Sequence, residues 1–382
     1  MMKKIIFLFI VFTSIYACKD SFKPEVDAQY KNALVVDGFI NIGGETRIRL
    51  SRSGDLQDSQ PSIPEKNASI IIEGDKGTRL DAVTGEDGNC LIMTQSLNLN
   101  EQYKLKITTT NGKVYQTDFL ENKKSPEIDS VNFNVENFGF KIYVNTHDDT
   151  KNTKYYKWEY SETWEINSFF KSIHEFKEGK VVPRDPNINL ERCWSSNQSS
   201  DIILGNTERF SEDRITMMPI TFVKGNSPKV WAMYSVLVKQ YGLTHQAYEY
   251  LNDMKKNTEQ IGGIFDAQPS VLKGNIVCIS NPGEEVIGWV SAGTVSNKRV
   301  FITYKDKPKG GTGNNWSYSQ PCESFIAPPD SLVYQILNRK FIIQEIQWFI
   351  NGVRFTEYQM TSEDCMDCRL RGSNIKPDFW PN

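Results

Sequence analysis

A mainly β chain is what the sequence predicts, and three observations carry it. Apolar and polar residues alternate with a period of two in many short segments. Asn-Gly and Gly-rich turns separate those segments. Aromatic residues, which favour strands, make up 12% of the chain, while only one segment has convincing helical spacing. The expected architecture is an immunoglobulin-like or transthyretin-like β-sandwich over residues 32–122. A larger β-rich domain over 126–382 follows, with one α-helix inserted at about 244–260.

In the first region, Leu34, Val36, Gly38 and Ile40 alternate with Val35, Asp37 and Phe39, and Ile48 and Leu50 with Arg47 and Arg49. Ile70-Ile71-Ile72 runs into a Glu73–Gly77 turn. Tyr103, Leu105 and Ile107 lead through Asn111-Gly112 into Val114 and Tyr115, a hairpin signal. The polar stretch Glu121–Pro126 ends in proline and marks the boundary. Beyond it, Ile128–Phe133, Phe140–Val144 and Tyr155–Tyr160 read as strands, residues 166–210 as long loops, and Val230–Tyr241 as a strand again. The helix rests on Ala247, Tyr250, Leu251 and Met254 at i, i+3, i+4 and i+7. Thr244 can cap it, Lys255 and Lys256 suit its C-terminal end, and Gly262-Gly263 stops it. Gly274–Ile279, Val286–Val290, Val300–Tyr304 and Phe341–Phe349 return to strand.

The first residues read as a leader. Lys3 and Lys4 precede the apolar run Ile5–Phe12, and small residues lead to Cys18. The run is too short to span a bilayer, which takes about 20 apolar residues. Ile15-Tyr16-Ala17-Cys18 fits a relaxed lipobox, so residues 1–17 are expected to be cleaved and Cys18 acylated. Residues 18–31 then tether the lipid to the fold. The remaining chain, about 365 residues with a charge of about −5, is long enough for two or three domains. Its mild acidity argues against a nucleic-acid partner, since phosphate contacts need a basic face.

Six of the seven cysteines remain after Cys18: Cys90, Cys193, Cys278, Cys322, Cys365 and Cys368. An even number in an exported chain reads as disulfides, with all six as candidates. Cys193 and Cys322 are the expected partners of the Cys365-Met366-Asp367-Cys368 pair. Zinc would need a second ligand pair, and His147, His174 and His245 are scattered, so no metal is expected.

No catalytic motif appears. Gly-x-Ser-x-Gly and His-Glu-x-x-His are absent, and Gly310–Asn315 lacks the lysine of a phosphate-binding loop. Glu162 and Glu165 could pose as a carboxylate pair, but three residues apart on a strand they face opposite ways. His147-Asp148-Asp149 offers oxygen ligands without the spacing of a calcium loop and reads as a solvated turn. No catalytic residue and no cofactor are therefore assigned. Of eight tryptophans, Trp164, Trp194, Trp289, Trp316 and Trp380 are the candidates for a stacking or partner-binding surface, against the commoner role in a core.

Several phrases in order carry a resemblance: Leu34-Val35-Val36-Asp37-Gly38, Ser125–Val131, Glu162-Thr163-Trp164-Glu165, Tyr234–Gln240, Gly274-Asn275-Ile276, and the ending from Cys365-x-x-Cys368 to Pro377-Asp378-Phe379-Trp380. Together they resemble a Bacteroidota lipoprotein family described as domain of unknown function 4249. The resemblance implies an outer-membrane lipoprotein near a TonB-dependent receptor barrel; with Cys18 as the expected anchor, the folded body is expected on the cell surface. It brings no catalytic residues. The expected role is non-catalytic binding or assistance of a TonB-dependent transporter in nutrient uptake. A structural or adhesive surface protein is the alternative, and a cell-surface hydrolase a third.

Overall fold

The computed structural model describes residues 32–54, 62–136, 138–259, 272–308 and 315–381. The expected leader, Cys18, the tether, Gly262-Gly263 and most of the glycine-rich stretch at 310–315 lie outside these residues.

The chain is mainly β, as its alternation demands. The first strands are β1 (Leu34–Asn41), β2 (Glu45–Ser53), β3 (Ser62–Pro64), β4 (Ser69–Gly74) and β5 (Arg79–Val83). They are followed by β6 (Asn89–Met93), β7 (Tyr103–Thr108), β8 (Val114–Thr117) and β9 (Asn122–Lys123). Next come β10 (Ile128–Glu136), β11 (Gly139–His147), β12 (Tyr155–Asn167), β13 (His174–Lys177) and β14 (Lys180–Pro183). Then β15 (Arg192–Gln198), β16 (Ile203–Asn206), β17 (Arg214–Lys224) and β18 (Met233–Leu243) lead into helix α1 (His245–Glu259). After it lie β19 (Ile276–Cys278), β20 (Val286–Gly293), β21 (Val295–Thr303) and β22 (Ser324–Ala327). The chain ends with α2 (Leu332–Leu337), β23 (Lys340–Ile350), β24 (Val353–Ser362) and a single turn, α3 (Glu363–Met366).

Two sheets form the first sandwich, in the orders β3-β2-β1-β20-β9, with β6 on β2, and β19-β8-β7-β4-β5. Their inward residues, among them Val36, Ile48, Ile72, Leu105, Tyr115 and Val290, make one buried cluster. Here the boundary expected near 122–126 does not divide the sheets. β20 runs parallel to β1 and separates it from β9, and β19 pairs antiparallel with β8. The sandwich expected from 32–122 is thus completed by residues 276–293. Gly288 lies opposite Val36 with φ +137°, and a Cβ there would sit 2.0 Å from the Val36 carbonyl oxygen, so only glycine fits.

A second sandwich packs β10-β11-β17 against β15-β12-β18-β21. Phe140, Ile142 and Val144 from one sheet meet Trp158, Tyr234, Val236 and Val238 from the other. A polar core strut crosses it: the Trp158 indole donates to Gln240 at 2.9 Å, and the Gln240 amide donates to the Pro126 carbonyl and to Thr146. The stretch 166–210, read as loops, holds β13 to β16. β15 has the sequence RCWSSNQ, whose polar outer half leaves no period of two to see.

Helix α1 is where the spacing puts it. The Ala247 N–H donates to the Thr244 hydroxyl at 3.2 Å, and Ala247 and Tyr250 are buried. At the C-terminal end, β22, β24 and β23 form a small sheet whose core is Ala327, Leu332, Ile342 and Met360, with Phe176 and Val181 of the β13–β14 hairpin against it. The outer half of the β23–β24 hairpin extends beyond its third strand, since β22 reaches only from Tyr358 to Thr361.

Candidate functional site

An open groove of about 430 Å³ lies where the first sandwich meets α1. Three distant segments build it: 118–123 between β8 and β9, 242–246 at the end of β18 and start of α1, and 274–292 around β19 and β20. Phe119, Leu120, Val277 and Trp289 supply apolar walls, and Asp118 and Gln246 supply polar ones. Trp289 is held in place from behind, with the Tyr250 ring of α1 5.6 Å away at a 34° tilt. Burial pushes the Tyr250 hydroxyl pKa up, and a hydrogen bond with the Gly288 backbone works against that rise. Asn275 closes the edge of the groove. Its side-chain amide donates to the Val290 carbonyl at 2.7 Å, and the Val290 N–H donates back to it at 2.9 Å, so this side chain acts as a rung of sheet.

The polar groups of the groove divide into used and unused. Glu121 pairs with Lys123 at 2.7 Å. Asp118 and Gln246 are exposed and have no partner among the described residues. A fixed indole beside a free carboxylate and a free amide can stack on an apolar face of a ligand and hydrogen-bond its edge.

Of the five tryptophans singled out above, only Trp289 lines this groove. Trp194 and Trp380 are buried against each other, edge to face, 6.4 Å apart. Trp164 is half-buried beneath the Lys229 ammonium at 4.9 Å, and Trp316 meets Phe140 edge-on at 5.5 Å. These four are therefore packing residues, as burial of large rings dictates. Phe119, Asp118 and Gln246 carry no sequence pattern that would have marked them. Their common location arises only from the long-range pairing of β20 and β19.

The other candidates are placed as follows. Cys193 is bonded to Cys368, and Cys322 to Cys365, with Cα separations of 5.6 and 5.7 Å. The two halves of the Cys-x-x-Cys motif thus bond outward to different partners. Cys90 and Cys278, carried above as disulfide candidates, are buried free thiols in the first core, where burial pushes the Cys90 thiol pKa up. Cys18 lies outside the described residues. Glu162 accepts from Lys229 at 2.5 Å and from the Tyr234 hydroxyl, whereas Glu165 accepts from Arg192 at 2.7 Å and from the Trp380 indole at 3.3 Å. Each carboxylate has its own cation and they share no partner. His147 contacts Asp129 at 2.8 Å, and that carboxylate raises its pKa. No group of three or more His, Cys, Asp or Glu that could hold a metal occurs among the described residues. Nor is any described helix long and apolar enough to cross a membrane.

Among solved structures, two are weakly similar to this chain. The calcium binding domain CBD12 of CALX1.1 is 9% identical, with a TM-score of 0.16 over 69% of this chain and 98% of that one. The BSP domain of a biofilm associated protein is 8% identical, with a TM-score of 0.14 over 75% and 62%. Scores this low carry no argument. No curated protein matches. The family model "Domain of unknown function (DUF4249)" matches residues 19–299, which include the first sandwich, the groove and the second sandwich up to the middle of β21; the β23–β24 hairpin lies beyond them. The chain belongs to that family.

Proposed function

We propose that this protein is a non-catalytic, lipid-anchored outer-membrane protein, displayed on the cell surface, that captures a small ligand in the Trp289 groove for a TonB-dependent transporter. The groove carries the reading: an indole fixed by Tyr250 stands beside two polar groups, Asp118 and Gln246, that the described residues leave unused. Two disulfides support an oxidising compartment, where such bonds persist. Anchoring through Cys18 would confine the protein to the plane of its membrane partner and raise the effective concentration, so modest affinity is enough.

The test is an affinity purification from outer membrane in mild detergent through a C-terminal tag, with Cys18→Ala as control. The expected result is a stoichiometric TonB-dependent receptor, lost in the control. Small molecules that co-purify or bind in a screen should lose at least tenfold in affinity with Trp289→Ala. A partnerless protein, or ligand binding indifferent to Trp289, would overturn the reading.

A further inference from the structure

We propose that the tip of the β23–β24 hairpin is a membrane contact that seats Trp348, Phe349, Ile350, Val353 and Phe355 in the headgroup–acyl boundary of a lipid surface. The register shows how the tip is built. Ile350 pairs with Val353 and Trp348 with Phe355 on one face, and Phe349 pairs with Arg354 on the other. Five of these six residues are apolar and all five are exposed, Phe349 by 70%, Ile350 by 59% and Trp348 by 50%. The next three rungs toward the body, Gln347–Thr356, Ile346–Glu357 and Glu345–Tyr358, bring in the charges and amides. Apolar surface is therefore concentrated at the end of the arm and wraps both faces.

Two polar groups of the tip reach back toward the body. The Trp348 indole N–H donates to Glu357 at 2.7 Å, and the Arg354 guanidinium reaches back to Glu345 at 3.6 Å. Flanking the exposed Asn351-Gly352 turn, in which both residues have positive φ, the side chains of the last three rungs are apolar apart from Arg354. A second copy or a flat protein face would cover one side of such a ribbon and leave Phe349 in water. Immersion end-on covers both. From Trp348 to Ile350 the strand rises about 7 Å, within the 5–10 Å depth of interfacial insertion. A tryptophan at the boundary with an arginine beside it is the composition such interfaces favour.

The experiment uses the chain from Lys19 onward, which keeps every described residue and lacks Cys18. It is mixed with phosphatidylethanolamine–phosphatidylglycerol vesicles, and bound protein is measured by flotation. The wild type should float. Phe349→Ser combined with Ile350→Ser and Val353→Ser should weaken partitioning at least tenfold with an unchanged melting temperature, because these side chains are exposed beyond the third strand. Brominated lipid should quench the wild type more than Trp348→Phe. A wild type that stays in solution, or a triple variant that floats equally well, overturns the proposal. So does a triple variant that keeps its vesicle binding but loses a co-purifying membrane protein, which assigns the tip to a protein socket.

Discussion

Glu284 adds a charged tie between the late-arriving β19–β20 segment and the start of the chain, beside the backbone pairing of β20 with β1 and of β19 with β8. It accepts from Lys113 at 2.5 Å, from the Tyr115 hydroxyl at 2.5 Å and from Arg52 at 3.4 Å, and Arg52 also meets Glu65 at 2.5 Å. Burial alone would raise the Glu284 carboxyl pKa, but the hydrogen bonds from Lys113 and Tyr115 and the charges of Lys113 and Arg52 overcome it and hold the value below the usual range. A lowered folded pKa contributes stability above the unfolded value, and that contribution is lost as pH falls through the folded one. Glu284→Ala should therefore cost about 3 kcal/mol at neutral pH, the low end for a broken buried pair because Lys113 is partly exposed and rehydrates. Thermal melts of wild type and variant should converge as pH drops below the ordinary carboxylate value. A gap that is constant from neutral to acid pH would remove the charge argument. No local sequence feature marked Glu284, since its partners lie on β2, on β8 and in the turn just before β8, far back in the chain.

At the scale of elements, the C-terminal tail is held by three devices at one place. Cys368 bonds Cys193 across 175 residues, Ser373 and Trp194 exchange backbone hydrogen bonds of 2.8 and 2.9 Å, and Trp380 packs on Trp194 and Phe301. Trp380→Ala should cost about 3–5 kcal/mol by cavity formation. The pair Cys193→Ser with Cys368→Ser should cost about 2–5 kcal/mol. Because both act on β15 through neighbouring residues, their sum should fall short of additivity when combined in urea melts. Full additivity would mean that the tail is held at independent points. The sequence marked the tail's cysteines and Trp380, because spacing and ring size are local. The hairpin was legible only in part. Phe341–Phe349 reads as a strand, whereas the Asn351-Gly352 turn and the returning strand β24 went unread. Trp348, the one exposed tryptophan of the eight, has nothing local to separate it from buried ones, because exposure follows from how far the hairpin reaches past the residues that make the small core.

For the whole molecule, the decisive fact is that the first sandwich is not contiguous. Alternation showed which residues of β1 face a core, and 286–290 read as a strand, but nothing showed that the two pair, because parallel pairing needs a long crossover that leaves no local trace. The groove was hidden for the same reason: Trp289 could be named, but its neighbours Asp118 and Gln246 come from elsewhere in the chain. The topology makes a strong claim about fragments. Residues 32–125 expressed alone lack β20, so β1 becomes an open edge and the buried Val286, Val290, Ala292 and Ile276 are missing from the core. The loss of several buried aliphatic side chains, each about 1.5–3 kcal/mol, is comparable to the whole stability of a domain, about 5–15 kcal/mol. The fragment should therefore show no cooperative thermal transition and should aggregate through the exposed edge. Joining residues 272–294 to its C-terminus through a flexible linker, long enough to reach back along β1, should restore a cooperative melt. A fragment of 32–125 that melts cooperatively unaided would mean that β20 decorates the sandwich rather than completing it, and the groove floor would then be a surface added to a finished domain.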